Sequence, residues 1–302
     1  MKQLDISVII LTYNEEIHIR RAIENVSSIA RHIYVIDCYS KDKTASICKE
    51  FHNVDVVEHA WPGNQAKQFN WAIENIKIET EWVLRLDADE YLSRELIEEM
   101  IDQLSTIDND VSAFVVPLRR AFHGKILKHG IANDVKMIRL FRTGKARYEQ
   151  RLMDEHLEVI QGEIGTFNHC LVDDSLINMS AFIAKHNDYS NREAALLLSE
   201  EFELSKADHD TSKYASVVIN KRKQKARYAK MPLYWRSFFY FLYRYFIRLG
   251  FLDGRAGFEW DFYQGLWYRM LIDSKIAEAK RICGNDRDKI GMYVRNVLGV
   301  EI

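Results

Sequence analysis

The strongest constraint in this sequence is an alternation. Between Ile6 and Leu104, short apolar runs suited to buried strands take turns with stretches whose apolar residues recur at helical spacing. A chain written this way folds as βα units on a mostly parallel sheet. The spacing predicts strands at Ile6–Leu11, His32–Asp37, Val54–Glu58 and Trp82–Leu86. Helices are expected over Glu15–Ser27, Asp42–Phe51, Gln65–Asn75 and Ser93–Leu104, the last with Ser93 as N-cap. Ala113–Pro117, Ala121–Ile126 and Lys136–Arg142 read as further strands around Gly124, Gly130 and Gly144, where the parallel sheet gives way to antiparallel pieces. From Met179 onward the pattern is helical. With no internal repeat and no low-complexity linker, the expected organisation is an α/β domain over residues 1–178, in two halves near 1–105 and 106–178, and a helical extension over 179–302.

In an open α/β sheet, ligands bind beyond the carboxyl ends of the strands. The first predicted strand runs into Leu11-Thr12-Tyr13-Asn14-Glu15. No glycine-rich loop stands there, which excludes both a dinucleotide GxGxxG turn and a Walker A loop. The second strand ends in Asp37, whose carboxylate can accept hydrogen bonds from a ribose or a base N–H, or can cap the polar turn that follows. The fourth leads into Leu86-Asp87-Ala88-Asp89-Glu90. Carboxylates at i and i+2 after a buried strand repel each other unless a cation sits between them. Mg²⁺ or Mn²⁺ would accept one or two such groups plus phosphate oxygens; a solvated acidic loop would carry the same triplet.

Charge excludes little globally, because 42 basic residues nearly balance 44 acidic ones. Locally the picture differs. The stretch from Lys221 to Arg255 holds ten Lys or Arg against the single acid Asp253, a net +9 that leaves −11 elsewhere. The four cysteines, Cys38, Cys48, Cys170 and Cys283, form no CxxC pair, which argues against zinc ribbons and disulfide frameworks and fits a reducing cytoplasm. The N-terminal residues lack the apolar core and cleavage site of a secretion signal, so export is not expected.

Four blocks in order carry a family resemblance: Ser7 to Glu16, Asp37 with Ser40 to Thr44, Gln68 to Ala72, and Asp87 to Glu90. Together they resemble the GT-A fold glycosyltransferases of family 2. Gly124 to Gly130, Met137 to Arg142, Asp154-Glu155-His156 and Lys185 to Ser190 extend the similarity to about Leu266, toward bacterial lipopolysaccharide-core, capsule and O-antigen glucosyltransferases. The resemblance implies an inverting, metal-dependent transfer of a hexose from a UDP-sugar to a lipid-linked glycan. It implies that Thr12, Tyr13 and Glu15 line the base and ribose, and that Asp37 accepts the uracil N3–H. Asp87 would meet the ribose or metal, and Asp89 would hold Mn²⁺ or Mg²⁺ on the diphosphate. Asn64 and Lys67, one turn apart, are candidates for a further nucleotide contact. The general base falls on Glu155 or its neighbour Asp154, with Glu155 favoured and His156 as their partner. His169 sits where some relatives place a late metal or diphosphate ligand. Two other readings are a sugar nucleotidyltransferase, which normally needs a glycine-rich loop after the first strand, and an inactive scaffold of the same fold.

The basic stretch contains an aromatic run from Leu233 to Arg248. On a regular helix Arg236, Arg244 and Arg248 fall within an arc of about 120°, opposite a broad aromatic face. Arg244 and Arg248 interrupt the run too soon for a membrane span, which needs about 20 apolar residues. The expectation for residues 221–252 is a helix lying on an anionic membrane, on the inner face of the plasma membrane, with its basic side toward lipid. Packing on the core or on a second copy in a homo-oligomer is the alternative. Nucleic acid is not an expected partner, since no stacking motif accompanies the charge.

Overall fold

The computed structural model describes residues 3–131, 135–149, 157–204, 228 and 230–301. They form two units, Met1–Leu176 and Ile177–Ile302.

The first unit is built on one sheet. Strands β1 (Ile6–Thr12), β2 (His32–Asp37), β3 (Val54–Glu58) and β4 (Trp82–Asp87) lie parallel in the order β3-β2-β1-β4. Helices α1 (Ile19–Ser27), α2 (Thr44–Cys48) and α3 (Gln65–Asn75) supply the crossovers. The central strands β1 and β4 read as near-continuous apolar runs because both faces are covered, whereas the edge strand β3 is half-buried. Ile6, Val8 and Ile10 of β1 pack with Ile19, Ile23 and Val26 of α1, while Ile9 turns to the other face with Phe69 and Ala72 of α3. Two helices start later than the periodicity suggests. Residues 16–18 form a turn before α1, and α2 spans one turn within the expected Asp42–Phe51.

Beyond β4 the sheet becomes mixed. Strand β5 (Glu90–Leu92) and helix α4 (Arg94–Leu104) follow the acidic loop. The 12-residue β6 (Val111–Phe122) pairs antiparallel with β8 (Val135–Arg142), which pairs antiparallel with β4. The strand expected over Ala121–Ile126 is a hairpin. Its turn is His123 and Gly124, both at positive φ (51° and 74°), followed by β7 (Lys125–Ile126). Positive φ at both central residues is the turn whose twist suits a two-residue hairpin. Four short strands, invisible as periodic runs, complete the sheet region: the ribbon of β9 (Ala146–Tyr148) and β10 (Leu157–Val159), then β11 (Glu163–Thr166) on β6. Finally β12 (Leu171–Asp173) lies between β6 and β5.

The second unit is helical. Helices α5 (Met179–Glu201), α8 (Tyr268–Cys283) and α9 (Arg287–Asn296) share a core of Ala194, Leu198, Ile272, Ile276, Ile290 and Val294. Between them run α6 (Trp235–Leu242) and α7 (Gly254–Trp260), each continued by a π-helical segment, Tyr243–Ile247 and Asp261–Trp267. Here the structure corrects the expected basic face. Arg236 is 3% exposed and donates from Nε to Asp273 Oδ1 at 2.7 Å, while Arg244 is 6% exposed and donates from Nε to Asp261 Oδ1 at 2.8 Å. Buried arginines require such partners. The fit is close enough to demand glycine at 250, where an added Cβ would stand 1.9 Å from Asp261 Oδ2. The outward residues are aromatic or aliphatic instead, with Trp235, Phe239, Phe246 and Ile247 at least half exposed. The cationic residues 221–227 lie outside the described residues. No helix among the described residues is long and apolar enough to cross a membrane.

Glu99 of α4 fastens the chain ahead of β12. Its carboxylate accepts the backbone N–H of Asn168 (3.0 Å) and His169 (3.0 Å), and Asn168 Nδ2 at 2.9 Å. Burial alone would raise this carboxyl, but those donors outweigh it and hold Glu99 below its ordinary value of 4.5. A depressed carboxyl stabilises the fold above its unfolded pKa and loses that contribution as pH falls through the folded one. Glu99→Gln should therefore melt below wild type at pH 7, with the gap closing as the pH falls below about 4.5. A constant gap in melting curves from pH 7 to 3 would contradict this.

Candidate active site

The strand order reverses direction at β1, with β2 on one side and β4 on the other. That is the switch point where an α/β sheet opens a crevice. The registers align its occupants, Thr12 beside Asp37 and Leu11 beside Asp87. Asp37 is buried, and its Oδ1 accepts Thr12 Oγ1 at 2.8 Å and Ser40 Oγ at 2.6 Å, while Oδ2 accepts the Ser40 N–H at 2.7 Å. A carboxylate offers about four acceptor directions, so one remains on Oδ2.

The loops after β1 and β2 are laced together. Asn14 donates its N–H to Ser40 Oγ and accepts the Lys41 N–H; the Glu15 N–H reaches Thr44 Oγ1 and the Glu16 N–H reaches Asp42 Oδ2, at 2.8–3.0 Å. Asn14 and Tyr39 adopt left-handed φ of 56° and 58° at these turns. This explains why Asn14 to Glu16 and Ser40 to Thr44 occur as matched blocks. Tyr13 is exposed beside them. The third block serves the same crevice. Gln68 Nε2 donates to Cys38 Sγ next to Asp37, and Asn70 exchanges two 2.8 Å hydrogen bonds with the backbone of Tyr148. Asn64 caps α3 by accepting the Lys67 N–H at 2.8 Å, and the Lys67 side chain is exposed.

Beneath the acidic loop lies a feature the motif reading missed. Arg139 Nη2 donates to Asp87 Oδ2 (3.0 Å) and to Glu90 Oε1 (2.6 Å), and Arg85 Nε to Asp87 Oδ1 (3.3 Å). Arg85, Glu90 and Arg139 are all buried. The repulsion expected between the aspartates is thus relieved on Asp87 by two guanidinium groups. Burial would raise the Asp87 carboxyl, yet Arg139 and Arg85 carry it well below the carboxylate range. Glu90 goes the other way, pushed up to about 8, because burial exceeds the pull of an Arg139 that it shares with Asp87. The signal was in the sequence: a lone arginine inside Val83-Leu84-Arg85-Leu86 and another inside Met137-Ile138-Arg139-Leu140 each demanded a buried partner.

Asp89, half-buried, follows in the same loop. Among the described residues no three His, Cys, Asp or Glu side chains converge as a metal cage. A loop offering one or two carboxylates is how Mg²⁺ or Mn²⁺ is held beside phosphate oxygens. With both Asp87 oxygens on arginines, Asp89 is the better suited of the pair. His169 is seated on Glu99, Nδ1 to Oε2 at 2.9 Å, and the structure does not bring it to the acidic loop by any hydrogen bond. Asp154, Glu155 and His156 lie outside the described residues.

The family model described as glycosyl transferase family 2 matches residues 7–168, more than half of the chain. The chain belongs to glycosyl transferase family 2. Its fold is accordingly GT-A, and the protein is a glycosyltransferase. It is 28% identical to an uncharacterized glycosyltransferase of Rickettsia typhi, RT0209, over 84% of this chain and 80% of that one. It is 26% identical to the lipopolysaccharide core biosynthesis glycosyltransferase LpsC of Rhizobium meliloti, over 64% and 71%. The solved mannosyltransferase PcManGT of Pyrobaculum calidifontis, in complex with GDP-Man and Mn²⁺, aligns over 100% of this chain and 89% of its own at a TM-score of 0.46 and 16% identity.

Removing the guanidinium of Arg139 takes the ion-pair partner from the buried Glu90 and leaves Asp87 with Arg85 alone. Arg139→Met should cost on the order of 3–5 kcal/mol in urea unfolding, and adding Glu90→Gln should recover part of it. A wild-type midpoint for Arg139→Met would show that the cluster is not held by charge.

Proposed function

We propose that this family 2 enzyme transfers a hexose from a UDP-sugar to a lipid-linked glycan, with inversion at the anomeric carbon. The observation that carries this reading is the switch-point geometry: a buried Asp37 with one acceptor direction left, at the end of β2, and across β1 from it Asp87 at the end of β4, where the acidic loop begins. In this reading Asp37 takes the imide N–H of uracil, Thr12, Tyr13 and Glu15 flank base and ribose, and Asp87 meets the ribose. Asn64 and Lys67 at the start of α3 are the remaining candidates for nucleotide contact. Asp89 would hold a divalent cation, Mn²⁺ or Mg²⁺, beside the diphosphate. Such an ion, when bound, offsets the charge developing on the departing diphosphate. Glu155, or Asp154 beside it, takes the proton of the acceptor hydroxyl. The name of the Rhizobium relative supports a glycan acceptor of the bacterial surface.

A thermal-shift series with UDP and GDP, each with and without Mn²⁺, tests the donor side, since a ligand that binds only the folded state raises its melting temperature. UDP with Mn²⁺ should stabilise most, and Asp89→Asn should lose the Mn²⁺-dependent part while keeping its fold. Equal stabilisation by GDP, or an unaltered Mn²⁺ response in Asp89→Asn, would overturn the assignment.

The second unit suggests where the acceptor is met. We infer that its exposed aromatic ridge lies in a lipid headgroup layer. Arg236 and Arg244 are occupied inside, so attraction to anionic lipid falls to Lys230, Arg248, Arg255 and the cationic residues 221–227. Phe238, Phe239 and Phe246 are exposed, so changing all three to Ser should leave the melting temperature near wild type. It should weaken co-sedimentation with anionic liposomes even in low salt, where the cationic residues act at full strength. A wild type that ignores liposomes would defeat this reading.

A further inference from the structure

Helix α1 carries a polar stripe that its apolar face does not need. His18 at its N-cap, Arg21 and Asn25 are spaced i, i+3, i+7, so they share one side of the helix. All three reach the acidic loop, the strand after it, or the segment that follows β12. Asn25 exchanges hydrogen bonds with the backbone of Leu92 in β5, at 3.0 and 2.7 Å. Arg21 makes the more consequential contacts. Its Nη1 donates to Asp174 Oδ2 at 2.6 Å, and its Nη2 donates both to the Asp174 carbonyl at 2.5 Å and to the Asp89 carbonyl at 3.1 Å. The Asp174 N–H donates to that same Asp89 carbonyl at 3.0 Å. The guanidinium also stands 5.2 Å over the Tyr91 ring.

The strap continues to His18. Its Nε2 accepts the Leu176 N–H at 2.9 Å, so the ring proton sits on Nδ1 and is donated to Glu15 Oε2 at 2.6 Å. The segment Asp174–Leu176 is thus tied at one end to the backbone of Asp89 and at the other, through His18, to Glu15. These ties come at a polar cost, since Arg21 Nε and Ser175 Oγ are buried without a hydrogen-bond partner. Buried orphans of this kind call for an explanation.

We propose that Arg21 is a positioning residue for the acidic loop: held by Asp174, its guanidinium fixes the Asp89 carbonyl and so sets the direction in which the Asp89 carboxylate is presented. The idea rests on the reading of Asp89 as the carboxylate that serves the donor's metal. A lysine would replace Arg21 only in part, because one ammonium lacks the planar fork that spans a carboxylate and two carbonyls. The strap makes the end of the first unit part of the donor site, although Asp174 to Leu176 carry no recognisable motif.

The test is calorimetric titration of UDP into the full chain with and without Mn²⁺, alongside the electron paramagnetic signal of free Mn²⁺ and a melting curve for every variant. Arg21→Met should weaken Mn²⁺-dependent UDP binding about tenfold, as loss of a group that orients a metal ligand does. UDP binding without Mn²⁺ should stay at the wild-type value. Asp174→Asn should reproduce the effect, and the double variant should be no worse than either single, since both residues act through one contact. Asn25→Ala, which loosens β5 but not Asp89, should lower the melting temperature without changing the Mn²⁺ response. If Arg21→Met does not fold, Arg21→Lys decides, with an expected loss of about threefold. Wild-type Mn²⁺ dependence in the Arg21 variant that folds, or additive losses in the double variant, overturns the proposal while Asp89→Asn still shows its own loss. Wild-type Mn²⁺ dependence in Asp89→Asn instead removes the donor reading, and the proposal falls with it.

Discussion

Two arginines and two carboxylates set the terms for the first unit. Arg85 on β4 and Arg139 on β8 would be untenable in a sheet interior without Asp87 and Glu90. The acidic loop would be equally untenable without them. β4 and β8 are also the strands at which the parallel part of the sheet meets the antiparallel part. The charge cluster therefore sits on the seam, and the loop that leaves β4 has its backbone direction fixed from below: the Asp87 N–H itself donates to Glu90 Oε2 at 3.0 Å. The crevice inherits a densely polar floor, in which two guanidinium groups face the ionised Asp87 and a Glu90 carboxyl that burial pushes up to about 8.

Much of this was legible in the residues, and the boundary of legibility is physical. His32–Asp37, largely buried, and the half-buried edge strand Val54–Glu58 both carry short apolar runs, and both match their predicted bounds. Chemistry-bearing residues at strand ends stand out against those runs, which is why Thr12, Asp37 and Asp87 were recognisable as a set. Strands of three or four residues such as β5, β9 and β12 have too few positions to show a period. Long-range charge pairing was not legible either. Asp87 read as half of a repelling pair because Arg139, 52 residues away, enters only through the sheet register. For His169 the motif position suggested a ligand, and the hydrogen bond of its Nδ1 to Glu99 on α4 was a further long-range contact that sequence spacing does not show.

The aromatic run of the second unit failed for a related reason. A helical-wheel arc assumes a regular helix and a solvent that prefers charge. The run changes to a π-helical segment at Tyr243, which moves later side chains off the wheel, and Asp261 and Asp273 draw Arg244 and Arg236 inward. What remains outside is apolar, the reverse of an ordinary surface helix. Exposed apolar patches of this kind mark interaction surfaces more often than accidents.

The exchange between Asn70 and Tyr148 has one more implication. A side-chain amide presents a donor and an acceptor in the geometry of a peptide group, so Asn70 acts as one rung of a strand that is not there. Strand β9 is paired with β10 along one edge, and its Tyr148 N–H and C=O face α3 on the other. A two-stranded ribbon ordinarily leaves such an edge open as a template for another chain. Here a helix closes it with one residue, and the ribbon is capped against templating growth without a third strand.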